Sequence, residues 1–170
     1  MRILSVLPLP LLILLTACAP SGATSKEALI DEARSVSREV EAAVAANRLA
    51  RRDTTLCADT TPGTEVRWWT DDAGRVRRLE VEGGTDDHAE HIRYDYDGIG
   101  RLRLAFAAFG AVNGTGEEET AVFSPTGELL SRERVRTAGP GYTFAEIILL
   151  PAPAAWLASG ECWPKPDSIL

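Results

Sequence analysis

The sequence predicts an α+β fold: an N-terminal amphipathic helix packed on a six- to seven-stranded antiparallel β-meander. Three observations predict this fold. Apolar residues recur every three or four positions early in the chain. They alternate with polar residues from Val66 onward, and glycines mark three similar turns among the alternating segments. A helix and a sheet that each have one apolar face bury those faces against each other within one domain.

The predicted helix follows a short, turn-rich stretch of small residues. Thr24 and Glu27 have the spacing of a capping box. The apolar stripe behind them consists of Leu29, Ala33, Val36, Val40 and Ala43. Charged residues occupy the opposite face, and we expect the helix to run to about Arg48 or Arg52. A partner-binding helix or a coiled-coil seam is the alternative, but little more than three heptads favours a helix that covers the protein's own sheet.

Alternating apolar and polar residues predict the strands. The pattern is clearest over residues 66–70, 92–96 and 102–108, where one face of each strand would be buried. Near Val76 and Leu79 the alternation slips by one residue. This slip predicts a β-bulge or a change of register.

Three glycines, Gly74, Gly100 and Gly127, mark turns of one design and lie 26 and 27 residues apart. Each follows a strand residue by four positions and precedes a charged residue and an aliphatic one. Glycine supplies the positive φ that a tight or bulged turn needs, so each unit predicts one β-hairpin, and the three predict six strands. Residues 142–150, which end in an apolar run, predict a seventh strand.

The middle turn, Tyr96-Asp97-x-x-Gly100-Arg101-Leu102, resembles a YD repeat, a motif of large secreted β-shell proteins. Only this unit matches closely, because the neighbouring turns place Thr70 and Phe123 at the tyrosine position. Shell proteins use many repeats, and three cannot enclose anything. The resemblance therefore implies a shared hairpin and not a shared function.

The N-terminus has the order of a secretory signal: a positive Met1-Arg2, an apolar segment from Ile3 to Leu15, then Leu15-Thr16-Ala17-Cys18. The last four residues resemble the lipobox of bacterial lipoproteins. The resemblance implies that residues 1–17 are removed as a signal peptide. It also implies that Cys18 is acylated, becomes the first residue of the mature protein and anchors it to the membrane of the cell envelope, facing periplasm or cell exterior.

Two other interpretations of this N-terminus remain. An uncleaved transmembrane helix is disfavoured because the apolar segment has 13 residues and contains Pro8 and Pro10, whereas a span needs roughly 20 residues. A plain signal peptide with an incidental cysteine is the other. Ala19, rather than an aspartate, follows the cysteine. In lipoproteins of diderm bacteria this favours the outer membrane.

The mature chain would have 153 residues, enough for one domain with a core. We expect a lipidated tether over residues 18–25, a single domain over 26–163 and a flexible tail over 164–170. Without Arg2 the chain has 17 basic and 25 acidic residues, a formal charge of −8. This balance disfavours nucleic acid and anionic lipid surfaces as partners.

Two cysteines, Cys57 and Cys162, remain after lipidation, and an even pair in an oxidising compartment predicts a disulfide. It would close a loop of about 105 residues, and loops near 100 residues stabilise by roughly 4.7 kcal/mol in the chain-entropy description. Free buried thiols or a catalytic thiol are the alternatives. Neither histidine lies near these cysteines in sequence.

The weak candidates for chemistry are His88 and His91, which lie among carboxylates in residues 86–91. Imidazole and carboxylate groups suit zinc, but on a strand two side chains three residues apart point to opposite faces. A solvated acidic hairpin loop is therefore favoured, and no metal or other cofactor is predicted. The sequence lacks the nucleophile elbow, the P-loop and the dinucleotide-binding glycines, so no catalytic residue is predicted.

Aromatic residues raise one further possibility, a contact site for sugar or peptide at Trp69. It alternates with Trp68, so the two rings would lie on opposite faces of a strand. Trp69 would be either exposed or covered by the helix, and a core position is favoured for both.

Three functional hypotheses follow. The first is a non-enzymatic, lipid-anchored envelope protein that uses a sheet face or edge to bind or scaffold a protein or polymer of the envelope. The second is an inhibitor or immunity-type lipoprotein against a basic lytic enzyme, which the acidic balance motivates. The third is a metal-assisted hydrolase that uses His88 and His91.

Overall fold

A long helix leads into seven consecutive strands and a short final helix in the computed structural model, which describes residues 24–56, 64–147 and 150–160. The elements are α1 (Lys26–Ala45), β1 (Ala50–Leu56), β2 (Thr64–Thr70), β3 (Val76–Gly84), β4 (His88–Tyr96), β5 (Leu102–Ala111), β6 (Gly116–Phe123), β7 (Leu129–Ala138) and α2 (Pro153–Ser159). The expectations for the signal segment, Cys18, Cys57, Cys162 and residues 164–170 concern positions outside the described residues.

The seven strands pair in chain order, each antiparallel to the next, so the predicted meander is confirmed. The three predicted hairpins are β2–β3, β4–β5 and β6–β7. In the middle turn Gly100 has a φ of +85° and donates its N–H to the carbonyl of Asp97 at 2.9 Å. The Asp97 carboxylate accepts from the backbone N–H groups of Ile99 and Arg101, both at 3.0 Å, which closes the turn from within.

A β-bulge follows each glycine turn. The register shifts opposite Trp69, Asp95 and Val122, so one extra residue enters the next strand each time. The extra residues are Arg77, Arg103 and Leu130. The slip in alternation near Val76 predicted the first of these bulges, and that prediction is confirmed.

Two element boundaries differ from the prediction. Helix α1 ends at Ala45, short of Arg48 and Arg52, because Asn47 adopts a φ of +53° and turns the chain into β1. Its N-cap is Ser25 and not Thr24, with the Ser25 hydroxyl accepting from Ala28 N at 3.2 Å.

The seventh strand also lies elsewhere than predicted. It is β1, an edge strand with six of its seven residues exposed, which therefore lacks the alternation that marks a half-buried strand. The predicted strand over residues 142–150 is wrong, because its described part has no strand pairing. Its apolar residues instead lie across the sheet.

The main core occupies one face of the sheet, called here the core face. It consists of Val66, Leu79, Val81, Ile92, Tyr94, Tyr96, Leu102, Ala105, Ala107, Phe109, Ala121 and Phe123. The C-terminal strap, defined as residues 141–147 and 150–160, covers this face with Phe144, Ile147, Leu150 and Trp156. The strap is also held by polar contacts, since Tyr96 donates its hydroxyl to the Leu150 carbonyl at 2.9 Å.

Helix α1, whose Ala33 and Val40 are buried, contacts the opposite face, called here the helix face, and several of these contacts are polar. Ser37 Oγ donates to Asp95 Oδ2 at 2.6 Å. Glu32 pairs with Arg103 at 3.1 Å, and Glu41 pairs with Arg78 at 2.7 Å. These strand residues lie close to the Gly74, Gly100 and Gly127 turns, an edge called here the glycine-turn end.

Within the described parts of the chain, neither helix has the length and apolar character that crossing a membrane requires.

Candidate functional site

The helix face continues beyond α1 toward the opposite end of the strands. Register places the following side chains on this part, called here the open face: Asp53, Glu65, Arg67, Glu80, Glu82, His91, Arg93, Phe106, Ala108, Glu118, Thr120, Glu133 and Val135. Val135 is 48% exposed, and Glu118 and Glu133 are exposed beside it. An apolar side chain and charged ones therefore share one accessible surface.

The open face is acidic. Its charged members are two arginines and six carboxylates, the latter being Asp53, Glu65, Glu80, Glu82, Glu118 and Glu133. Arg67 is already engaged, because it lies 4.0 Å from Glu80 and also pairs with Glu82. The remaining carboxylates on β6 and β7 give this part of the sheet an excess of negative charge.

A shallow depression of about 530 Å³ lies on the open face where β4 and β5 carry small residues. Ala89 and Gly110 also belong to the open face by register, and together with Ala108 they form the floor of the depression because their side chains are small or absent. Glu82 and His91 border it, with His91 Nδ1 3.5 Å from Glu82 Oε1. This arrangement suits a basic side chain whose apolar stem rests on the floor and whose charge meets Glu82.

Arg93 and Phe106 adjoin the depression toward α1. The Arg93 guanidinium lies over the Phe106 ring, 5.4 Å from its centroid, a cation–π geometry. Arg93 also approaches Asp95 at 3.5 Å and Glu41 of α1 at 3.8 Å. These contacts hold the side chain flat along the boundary between α1 and the open face.

His88 lies on the core face, opposite His91, as strand alternation predicts. Its Nδ1 is 2.8 Å from Thr85 Oγ1 and 3.1 Å from Asp87 Oδ1, and Tyr142 of the strap donates its hydroxyl to Asp87 Oδ2 at 2.6 Å. Hydrogen bonds from Thr85 and Tyr142, with the contact to His88, hold the pKa of Asp87 well below its usual range. This cluster fastens the strap to the β3–β4 turn.

The two histidines therefore do not share a site. Within the described ranges, no group of three or more histidine, cysteine, aspartate or glutamate side chains is arranged to hold a metal ion.

Glu90, two residues after His88 on the same side of β4, yields a prediction about pH. Gly83 lies beside its carboxylate, since a Cβ at that glycine would be in ordinary van der Waals contact with Glu90 Oε1, at 3.5 Å. Burial raises the pKa of Glu90, and nearby His88 opposes this shift. Because the pKa of Glu90 is higher in the folded state, its carboxyl stabilises the fold below the unfolded-state pKa of about 4.3, where it is protonated. This stabilisation is lost as the pH rises through the folded-state pKa.

We therefore expect Glu90→Gln to raise the Tm at pH 7, with the gain disappearing below about pH 4.3, where the native carboxyl is neutral. Thermal unfolding of both proteins across this pH range measures the effect. Glu133→Gln, at an exposed position on β7, is the matched control and should change little at any pH. An equal gain for Glu90→Gln at pH 3 and pH 7 would contradict the linkage.

Trp69, the weak candidate for a contact site, is buried at 8% exposure with the Arg51 guanidinium 6.0 Å from its ring centroid. Trp68 is partly buried and packs against the core on the other face. Neither residue offers the exposed ring platform that such a contact site requires, and ligand binding at Trp69 stays an untested prediction.

The sequence interpretation did not single out the members of the open face other than His91. Alternation could have placed Phe106, Glu118 and Val135 on one side of their strands. What sequence could not show is which strand residues on that side contact α1.

No protein-family model matches the chain, and comparisons with curated proteins and with solved structures found no match either.

Proposed function

We propose that this protein is a non-enzymatic, lipid-anchored component of the bacterial cell envelope whose open face binds a basic partner there. Cys18 carries the acyl chains, and residues 19–25 tether the domain. Helix α1 lies over the glycine-turn end of the sheet, supported by the Ser37–Asp95 hydrogen bond and the ion pairs of Glu32 and Glu41. The outer membrane is favoured if the host is diderm.

The observation that carries the binding role is the contrast between the two faces of the sheet. The core face is closed by Phe144, Ile147 and Trp156 of the strap. The open face keeps Val135 accessible beside the exposed carboxylates of Glu118 and Glu133, next to a depression with Glu82 on its border. Complementarity of charge makes a basic protein surface the partner of choice.

A second candidate is an inhibitor or immunity-type lipoprotein that uses the same acidic face against a basic lytic enzyme. The depression bordered by Glu82 and His91 favours it, because a single basic side chain of the enzyme would fit there. Inhibition assays against cationic lytic enzymes distinguish it from a scaffold. The hydrolase hypothesis has less support, since His88 and His91 lie on opposite faces.

The anchor is tested by changing Cys18 to serine. We expect the wild-type protein to show acylated Cys18 by intact-mass analysis and to sediment with membranes. Cys18→Ser should be unacylated and no longer held by lipid. An unmodified thiol at residue 18 in the wild-type protein would remove the anchor from the proposal.

The binding role is tested by charge reversal on the open face. A triple variant, Glu82→Lys with Glu118→Lys and Glu133→Lys, should lower affinity for the partner crosslinked to the wild-type protein by at least about tenfold, or about 1.4 kcal/mol. The matched control reverses three exposed acids elsewhere, Glu27→Lys, Asp31→Lys and Glu128→Lys, and should retain that partner. If both triple variants capture the partner equally well, the open face is not its binding surface.

A further inference from the structure

An apolar pocket of about 300 Å³ opens at the glycine-turn end of the sheet, away from the open face. Leu102 and Phe123 line it as part of the core, and Pro151 of the strap closes one side. Gly100 and Gly127, which have no side chains, leave its mouth accessible between two hairpin turns. Its size is at the lower end of known ligand sites, and its lining is mainly hydrophobic, as such sites require.

Two exposed apolar side chains are neighbours of pocket residues, one along the chain and one across the sheet. Ile99, next to Gly100 at the tip of the middle turn, is 64% exposed, and Leu129, opposite Phe123 in the register, is 45% exposed. Arg101 also lines the pocket, with its Nε donating to Asp97 Oδ2 at 2.9 Å. The pocket and its surroundings therefore form one apolar patch with a cation beside it, a combination suited to an acyl chain attached to a polar ester.

Helix α1 contacts the sheet beside this pocket from the helix face, whereas Leu102 and Phe123 line the pocket from the core face. Glu32 pairs with Arg103 on β5, whose Nε donates to the carbonyl of the pocket residue Phe123 at 3.2 Å. Glu41, further along α1, pairs with Arg78 on β3, and the helix also contacts β6 and β7. The part of α1 before Glu32, which begins at Lys26, therefore lies toward β6 and β7. Six helical residues cover about 9 Å.

Reach is sufficient to bring the lipid to the pocket. Seven residues, 19–25, separate Cys18 from the first residue of α1. Fully extended, seven residues span at most about 25 Å, which exceeds the sum of about 9 Å along the helix back to Glu32 and the about 10 Å that separates packed layers at the edge of the sheet.

We propose that the pocket between Gly100 and Gly127 binds one acyl chain of the protein's own N-terminal lipid. This inference rests on the proposed acylation of Cys18. The chain lies on Leu102 and Phe123, Ile99 and Leu129 extend the apolar contact, and Arg101 faces the polar linkage. The glycine-turn end of the domain is thereby held toward the membrane, and the open face at the other end of the strands points away from it.

Photocrosslinking of the full-length protein tests this proposal. Producing cells are given palmitate with a diazirine at its terminal carbon, and the protein is purified in detergent and illuminated. We expect crosslinks from the acylated N-terminal peptide to residues 99–102 and 123–129, several-fold above those to residues 111–115 at the opposite end of the sheet. Crosslinks spread evenly over both ends would overturn the inference.

Two variants sharpen the test. Thr126→Trp fills the pocket from an exposed turn position and should reduce these crosslinks several-fold. Val112→Trp adds the same ring at an exposed turn of the opposite end and should leave the map unchanged. An unchanged map for Thr126→Trp counts against the pocket.

Intact mass of the same sample separates this inference from the proposed anchor. Acylated Cys18 without crosslinks to the pocket refutes the inference and leaves the anchor in place, whereas a free thiol refutes both. A ¹⁵N-labelled Cys18→Ser copy mixed into the sample reports on other occupants. Crosslinks found mainly in the labelled copy would show that the pocket takes acyl chains from other molecules, which contradicts the assignment to the protein's own lipid.

Discussion

Replacing Asp95 with alanine is expected to destabilise the fold by about 3–5 kcal/mol, the usual cost of removing one partner from a buried ion pair. The Asp95 carboxylate is fully buried and accepts from Arg78 Nε at 2.7 Å and from Ser37 Oγ at 2.6 Å. Arg78 is itself buried, so the variant leaves its guanidinium with Glu41, which is exposed, as its nearest remaining partner. Urea unfolding followed by tryptophan fluorescence measures the loss.

Two further variants distinguish the contribution of the Arg78–Asp95 ion pair from that of the other contacts of Asp95. Ser37→Ala removes one hydrogen bond to the same carboxylate and should cost less, about 1.5–3 kcal/mol. The double variant Arg78→Met with Asp95→Leu removes both charges and should be more stable than Asp95→Ala alone. If Asp95→Ala costs no more than Ser37→Ala, the buried pair is not the stabilising contact that its geometry indicates.

Replacing Phe144 with alanine is expected to cost about 3–5 kcal/mol, as for other buried phenylalanines. Its ring is buried against the sheet, stacked on Phe109 with centroids 5.2 Å apart and tilted against Tyr142 with centroids 4.6 Å apart. The described strap has no strand pairing here, and Arg134 bonds to the carbonyls of Phe144 and Ala145. Burial of the Phe144 side chain must therefore supply most of the free energy that holds this part of the strap on the core face.

Hydrogen exchange is the sharper measurement for this variant. Backbone amides of residues 141–147 should exchange faster in Phe144→Ala, together with a lower unfolding free energy. Thr143→Ala, at the exposed neighbouring position, is the matched control and should stay within about 0.5 kcal/mol of the wild type. Matching behaviour of the two variants would mean that the strap does not close the core.

The successes of sequence prediction came from residues that combine a local pattern with burial. Tyr94 and Tyr96 alternate with polar neighbours because β4 has one buried face, and both tyrosines are fully buried. The slip near Val76 revealed the bulge at Arg77 because an extra residue reverses the facing of all that follow. Gly100 revealed its hairpin because few other residues adopt its φ.

The errors came from segments whose pattern and environment disagree. Strand β1, Ala50–Leu56, is an exposed edge strand, so hydrogen bonding to β2 defines it and no apolar alternation does. Ile147 and Leu150 form part of an apolar run that matches a buried strand, but they pack crosswise on the core face. Apolar composition specifies that a residue is buried, and it does not specify whether its backbone joins a sheet.

The candidate site was predictable only in part. Strand alternation placed His88 and His91 on opposite faces, and the structure agrees. The acidity of the chain was visible in its composition, but its concentration on the open face required the register of seven strands. The apolar pocket at Gly100 and Gly127 combines turns that are 27 residues apart with Pro151 of the strap, a juxtaposition that no local pattern encodes.

What the sequence by itself determined are the properties carried by neighbours along the chain: one amphipathic helix, hairpins at three glycines, a bulge and an acidic balance. Tertiary structure alone decided which sheet face the strap closes and which strand residues form ion pairs with α1. The physical reason is that each strand exposes two faces with fixed alternation, while coverage of a face depends on distant segments competing to bury apolar area there.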